Sequence, residues 1–257
     1  MHLPASQGLV PDLLVRETSP STNAELVALA RESELASFTT LVTDDQTAGR
    51  GRLDRTWIAP AGSALAISVL VVPRTVGGPL ALENYGWLPI AAGIAMTEAI
   101  ADAVPQASTG FKWPNDVLVD GSKICGILAE LLPDRDAVVI GSGVNLSMTA
   151  EQLPVSTATS VLVAGGDPDP DTVLAGYLDR LQRLIVEYLA EDGDAGASGL
   201  AERARDLCVT LGREVRVELP DGSVIEGIAT GLDADGRLIV NDLAIAAGDV
   251  THARIAE

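Results

Sequence analysis

Apolar positions along this chain follow two periods. Leu26, Val27, Leu29 and Ala30 recur at helical spacing and predict a helix over 24–33. Ser21 or Thr22 supplies its cap, with Glu25 three residues after Thr22. A long helix is expected from about 82 to 104, with Ile90, Ile94, Ala95, Ala99 and Ile100 on the sheet and Pro89 marking a kink or a start. An amphipathic helix follows over 172–189, then a glycine-broken 193–199 and a short helix over 200–207. Runs of strand length lie at 39–45, 63–72 and 137–141, and residues 13–18 are extended. The stretch 111–119, the turn signal Asp120-Gly121 and the return run 123–130 predict a hairpin. Residues 149–171 read as loops around a short 160–164 element. From residue 214 the pattern changes to short alternating strands at 214–219, 223–232, 237–241 and 243–246. We therefore expect a large domain over 1–208 and a small all-β barrel over 209–257, with no internal repeat.

Length and charge narrow the function classes. The chain has 257 residues, room for one large domain and a small one, and a formal charge of -19. That balance argues against a general nucleic-acid binder and against an anionic-membrane binder. The apolar run at 64–72 is too short to span a bilayer, and the N-terminus lacks a basic segment followed by an apolar core. Cys125 and Cys208 lie far apart with no CxxC pair, so a cytoplasmic protein without disulfides or a zinc knuckle is expected. His2 and His252 lie near the termini, which disfavours a histidine-centred triad. Of the 17 basic side chains only Lys112 and Lys123 are lysines, and they share one short segment. A preference for arginine explains the rest of the chain but not that clustering.

The segment Gln46-Thr47-Ala48-Gly49-Arg50-Gly51-Arg52-Leu53-Asp54-Arg55-Thr56-Trp57 concentrates arginine and glycine between two strands. Glycine permits close backbone approach, and arginine offers forked donors for carboxylate and phosphate. Taken alone it reads equally as a surface turn. Phosphate loops of the GxxxxGK[ST] type are absent, and neither Gly141-Ser142-Gly143 nor Gly49-Arg50-Gly51 completes a dinucleotide fingerprint. Ser21, Thr22, Asn23 and Gln46 offer donors and acceptors to a neutral polar group. Arg50, Arg52 and Arg55 neutralise anions. Lys112, Asn115, Asp116 and Lys123 share a hairpin, where a plain Lys123–Asp116 salt bridge is the simpler alternative. Asn145 adds an amide at a strand end, and Trp57 and Trp113 read as packing residues.

Together, Ser21-Thr22-Asn23, the 46–57 segment, Lys112-Trp113-Pro114-Asn115-Asp116, the run from Lys123 to Glu130 and Gly141-Ser142-Gly143-Val144-Asn145 resemble the biotin protein ligases in order and spacing across most of the chain. Leu53-Asp54 is a variation within the arginine segment. The resemblance implies an α/β catalytic domain like that of class II aminoacyl-tRNA synthetases, a mixed sheet with flanking helices, followed by an SH3-like β-barrel. It implies that biotin and Mg-ATP form biotinyl-5′-AMP, which a lysine of an acyl-CoA carboxylase carrier domain then attacks. By the same resemblance Ser21, Thr22, Asn23, Gln46, Arg50, Gly51, Arg52 and Lys123 contact biotin or its adenylate. Arg52, Arg55, Trp57, Asn115, Lys123 and Asn145 lie around the nucleotide. Lys123, Arg50, Arg52 and Asp116 carry the chemistry, and metal ligands stay unassigned. About twenty residues precede Ser21, too few for a helix-turn-helix, so a ligase without DNA or membrane binding is expected, as a monomer or weak homodimer. A lipoate or octanoate ligase of the same fold and a non-catalytic biotin or nucleotide sensor are the competing readings. The 149–160 segment is a candidate adenine-side loop.

Overall fold

The computed structural model describes residues 1–52, 55–246 and 248–252, so Leu53-Asp54 of the arginine segment and the last five residues of the 209–257 unit lie outside it. The chain opens with α1 (Pro4–Gln7), β1 (Leu13–Val15), α2 (Thr22–Glu32) and β2 (Thr40–Thr43). A hairpin of β3 (Gly49–Arg50) and β4 (Thr56–Trp57) precedes β5 (Ala64–Val71), α3 (Pro73–Val76), a 3-10 turn at Leu82–Gly86 and α4 (Trp87–Ala103). Then come β6 (Thr109–Lys112), β7 (Asp116–Val119), β8 (Ser122–Leu132), β9 (Ala137–Asn145), α5 (Pro170–Ala190) and α6 (Leu200–Leu207). The C-terminal strands are β10 (Glu214–Glu218), β11 (Val224–Leu232), β12 (Leu238–Val240), β13 (Leu243–Ile245) and β14 (Asp249–His252).

A seven-stranded sheet in the order β1-β2-β5-β9-β8-β7-β6 forms the large domain. Only β1 and β2 are parallel; every other neighbouring pair is antiparallel. Side chains alternate between the faces of a strand. Leu65, Ile67, Val69 and Val71 of β5 therefore join the main core with α4 and α5, while Leu70 packs with Leu26 and Ala30 of α2 on the other face. The face under α2 divides: near its C-terminal turns it is apolar, and beyond its N-terminus it is left uncovered by any helix.

Several expectations shift in detail. The long helix begins at Trp87, and Pro89 sits in its first turn, where a missing N–H leaves no bond unmade. Helix α4 buries residues around most of its circumference, not one stripe, because α5 packs on its outer side. Ser21 is the cap of α2, accepting from the Ala24 amide, whereas Glu25 pairs with Arg16 at 2.6 Å. Residues 161–165 form turns with no helix or strand, and β9 runs on to Asn145. The four strands expected after residue 214 are joined by β14, which closes the order β13-β12-β11-β10-β14. That small sheet docks through its 233–236 turn: Trp87 Nε1 donates to the Ala234 carbonyl at 2.7 Å, and Trp113 Nε1 to the Gly236 carbonyl at 3.1 Å.

The amino-terminal segment is pinned by one carboxylate. Asp171 in the first turn of α5 accepts from the amides of Ala5 and Ser6, at 2.8 and 2.9 Å, and from the Ser6 hydroxyl at 2.7 Å. Desolvation pushes its pKa up, but these bonds more than offset that and hold it below the usual carboxylate value. A depressed folded pKa stabilises the fold above the unfolded value, about 3.9, and the contribution disappears as pH falls through the folded value. Asp171→Asn is expected to lower stability by a constant amount between pH 5 and 7. The gap to wild type should close below about pH 4, as read from urea midpoints over that range.

Candidate active site

The uncovered part of the sheet is paved with small residues. Across the strands Ala66 pairs with Gly143, Gly143 with Gly126, Gly126 with Asp116, and Asp116 with Lys112. Paired residues project to the same face, so this row is a floor of methyl and hydrogen ending in two charges. The next row, Ser68–Gly141–Leu128, continues it. Glycine within a strand marks close approach by something else. A Cβ on Gly141 would lie 2.2 Å from Asn23 Oδ1, and one on Gly143 would lie 2.7 Å from the Trp57 indole. The two glycines admit the walls of a cavity of about 180 Å³.

Of the thirteen residues given a site role by the resemblance, twelve line this cavity: Ser21, Thr22, Asn23, Gln46, Arg50, Gly51, Arg52, Arg55, Trp57, Asn115, Asp116 and Lys123. Asn145 does not. Its Nδ2 donates to the Thr159 carbonyl at 2.9 Å, and it braces the chain behind the site. Lys112 also stays outside the lining, although its register puts it beside Asp116.

One end of the cavity is neutral and ordered. The Gln46 Oε1 accepts from the Thr22 amide at 2.9 Å and lies 3.1 Å from the Thr22 hydroxyl. Ser68 Oγ donates to Asn23 Oδ1 at 2.6 Å and lies 2.8 Å from Thr22 Oγ1. Asn23 Nδ2 donates to the Leu128 carbonyl and to Glu130 Oε1, both at 3.0 Å. The Asn23 amide is thereby fixed in one orientation. Backbone bonds from Thr47 and Ala48 to the Ser19 and Pro20 carbonyls strap the Gln46 segment to the start of α2.

The other end is cationic. Gly51 N donates to the Arg55 carbonyl at 2.7 Å and turns the β3–β4 hairpin over the floor. Arg50 Nη2 meets Glu130 Oε1 at 2.7 Å. Arg52 donates to Asn115 Oδ1 at 2.8 Å and to the Gly248 carbonyl of the small sheet at 3.2 Å. Asn115 Nδ2 in turn donates to the Ile127 carbonyl. Lys123 Nζ lies 2.6 Å from Asp116 Oδ1. That oxygen is sealed from solvent and the approach is not aligned as a hydrogen bond, so the contact is a charge pair. A register shift between β7 and β8 at this point re-aims Lys123 toward the cavity. Gly126 leaves room for its ammonium to fold back over the strand: a Cβ there would lie 3.2 Å from Nζ. The backbone of Lys123 is clamped by Thr157 and Thr159, each at 2.8 Å, which brings the 149–160 segment alongside the site.

The neighbouring thiol takes no part. Burial pushes the pKa of Cys125 up to about 12, only partly countered by the Lys123 charge. Ser142, between the two floor glycines, turns its hydroxyl to the opposite face, 3.0 Å from the buried Tyr177 hydroxyl of α5, whose pKa desolvation also raises. Ser68 and Glu130 escaped the motif reading as functional positions. The signal that reaches them is strand register counted outward from the glycines. Among the described residues no group of three or more His, Cys, Asp or Glu could hold a metal ion, and no helix is long and apolar enough to cross a membrane.

The chain is similar to several known proteins. The model of the biotin/lipoate A/B protein ligase family matches residues 15–146, and that of the biotin protein ligase C terminal domain matches residues 210–252. The biotin--[acetyl-CoA-carboxylase] ligase of Mycobacterium tuberculosis is 40% identical over 91% of this chain and 86% of its own length. The enzyme of the same name from Paracoccus denitrificans is 32% identical over 86% of this chain and 90% of its own. Among solved structures, a biotin protein ligase from Aquifex aeolicus in complex with biotin and ATP has a TM-score of 0.76 at 26% identity, covering 95% of this chain and 100% of that one.

Because Trp57 rests on Gly143, Gly143→Ala is expected to lift the indole and the hairpin with it. Tryptophan emission should shift to the red, since Trp87 and Trp113 stay buried. Cleavage by trypsin after Arg50, Arg52 or Arg55 should accelerate several-fold, read by mass spectrometry, at a nearly unchanged unfolding midpoint.

Proposed function

The chain belongs to the biotin/lipoate A/B protein ligase family, and we propose that it joins biotin to a lysine of an acyl-CoA carboxylase carrier domain through biotinyl-5′-AMP. ATP is consumed, and AMP and pyrophosphate leave. The observation that carries the reading is the two-ended cavity. A rigid amide-and-hydroxyl end suits the neutral polar head of biotin. A cationic end with Arg50, Arg52 and Lys123 suits a carboxylate meeting a phosphate. The two ligases at 40% and 32% identity favour biotin over lipoate as the acid.

In the first step a biotin carboxylate oxygen attacks the α-phosphorus of ATP, and the bond to the β-phosphate breaks. Two unit charges at ~4 Å repel by ~4 kcal/mol at an effective dielectric of about 20. Fixed arginine and lysine charges cancel that repulsion and stabilise the charge that grows on the transferring group. Arg55, Trp57 and Asn115 flank the nucleotide in this reading, with Asn145 behind them. Mg²⁺ enters bound to ATP as part of the substrate, held chiefly by phosphate oxygens. The mixed anhydride hydrolyses readily in water, and a hairpin closed over it excludes solvent.

In the second step a neutral lysine amine attacks the acyl carbon and AMP departs. A free lysine, pKa about 10.4, is mostly protonated at neutral pH. Asp116 is the carboxylate in the cavity lining, and we assign it the orientation or deprotonation of that amine. It can do so once the Lys123 ammonium turns to the adenylate.

Single-turnover biotinylation of a purified carrier domain, with biotin or lipoate and ATP, tests the reading. Biotin transfer with no lipoate transfer is expected; ligand binding without turnover would instead make this chain a sensor. Lys123→Gln should slow adenylate formation about 100-fold or more, the scale for removing one preorganised charge donor. Asp116→Asn should slow transfer from preformed adenylate. Transfer at the wild-type rate would exclude the base role.

A further inference from the structure

We propose that Glu130 is a positioning residue that latches the arginine hairpin shut over the acyl adenylate. The inference rests on the ligase reading above. The β3–β4 hairpin lies outside the main sheet and is held together by two residue pairs, Gly49–Trp57 and Arg50–Thr56. A two-stranded ribbon of that size has little stability of its own. Its place is set by what it touches. Gln46 and Trp57 touch partners inside the cavity, where ligand competes for them, and Arg52 divides its bonds between Asn115 there and the Gly248 carbonyl of the small sheet. Glu130 lies outside: it lines an open groove on the far side of the hairpin and not the cavity itself. Arg50, with Gly51, Arg52, Arg55 and Thr56 of the hairpin, lines both spaces and so stands between them.

The register explains why a carboxylate stands there. Glu130 pairs with Val139, and Val139 with Leu70, in the row that begins the apolar cluster under α2. It is the charged member of that row, placed where the apolar floor gives way to the site. A single oxygen, Oε1, accepts from Arg50 Nη2 at 2.7 Å and from Asn23 Nδ2 at 3.0 Å. One carboxylate therefore ties the hairpin to an amide of the neutral end. A guanidinium has five N–H donors, so Arg50 can keep Glu130 through Nη2 and still offer donors to an anion in the cavity. The latch is compatible with a filled site.

Opening of the latch admits water. Water adds to the acyl carbon, the bond from that carbon to the phosphate oxygen breaks, and biotin and AMP are lost with a proton to solvent. Glu130→Gln keeps an oxygen acceptor but removes the charge. The pair is half exposed, so its loss corresponds to about fivefold in an equilibrium, equivalent to about 1 kcal/mol. The test incubates full-length protein with biotin and ATP and no carrier. It measures AMP release and biotin-dependent exchange of labelled pyrophosphate into ATP. In Glu130→Gln the ratio of AMP release to exchange should rise about fivefold. Glu130→Asp keeps the charge but is too short to span both partners, and should give a smaller rise; it also serves if the first variant misfolds. Exchange with an unaltered ratio in folded Glu130→Gln and Glu130→Asp overturns the latch alone. Absence of exchange in wild type overturns the ligase reading and the latch with it.

Discussion

The site depends on a sheet whose middle strands carry almost no side chains on the stretch of one face that α2 leaves uncovered. Ala66, Gly143 and Gly126 stand side by side on β5, β9 and β8, and Gly141 lies one row further on. A core sheet ordinarily fills such positions with β-branched residues. Here the opposite face does that work: Ile67, Val144, Ile127 and Ile140 are buried in the main core. Stability comes from one face of the sheet, and the other is released to admit Asn23, Trp57 and the Lys123 ammonium. Glycine within a strand costs conformational entropy. That cost is acceptable because long ladders, nine residues in β9 and eleven in β8, hold the strands from both sides.

On this floor the charges are arranged for exchange. Arg50 faces Glu130, Arg52 faces an amide and a carbonyl, and Lys123 faces Asp116. None of these contacts is deep in the core: the Lys123 and Arg50 side chains remain 44% and 50% exposed. Exposed pairs contribute little to stability. The same fact makes those of Arg52 and Lys123 replaceable, since an incoming phosphate or carboxylate has only a weak contact to displace, while Arg50 can keep Glu130 and present its other donors. The neutral end is the reverse. Thr22, Asn23 and Ser68 are buried and their hydrogen bonds interlock, so its shape is set before any ligand arrives. Rigid recognition of the neutral group beside adaptable charge for the reacting one is the division that a two-step acyl transfer calls for.

How much of this could be read from residues alone follows from physical range. Elements with strong local pattern came through: the start of α2, the turn at Asp120-Gly121 with its return strand β8, and the amphipathic α5 lie within two residues of expectation. The expected strand 111–119, in contrast, divides at its Trp113-Pro114 turn into β6 and β7. The arginine segment was legible as a loop between strands, and its folding into a ribbon was not, because only two residues on each side pair. Helix α4 hides its outer contact, since burial on a second side leaves no polar stripe to mark it. Strand β14 was missed because its pairing with β10 joins residues some thirty positions apart, beyond local pattern. In the site, motif residues are local and were found. Ser68 is an ordinary serine in an apolar strand, and only the pairing of β5 with β9 reveals that it stands beside Gly141.

The small C-terminal sheet enters the chemistry by the same logic of long-range contact. Its 233–236 turn receives hydrogen bonds from Trp87 and Trp113, and the Thr210 hydroxyl accepts from the Trp113 amide at 3.1 Å. Trp113 opens the turn that carries Asn115 and Asp116 into the cavity. The Gly248 carbonyl then reaches Arg52 from the other side. The sheet thus bears on both walls of the cationic end, one through a buried indole and one through a guanidinium. The Trp113 contacts are buried and the Arg52 contact is part-buried, so the turn bearing Asn115 and Asp116 is the more firmly fixed wall and the arginine hairpin the more readily moved, which suits a wall that must open for substrates and close again.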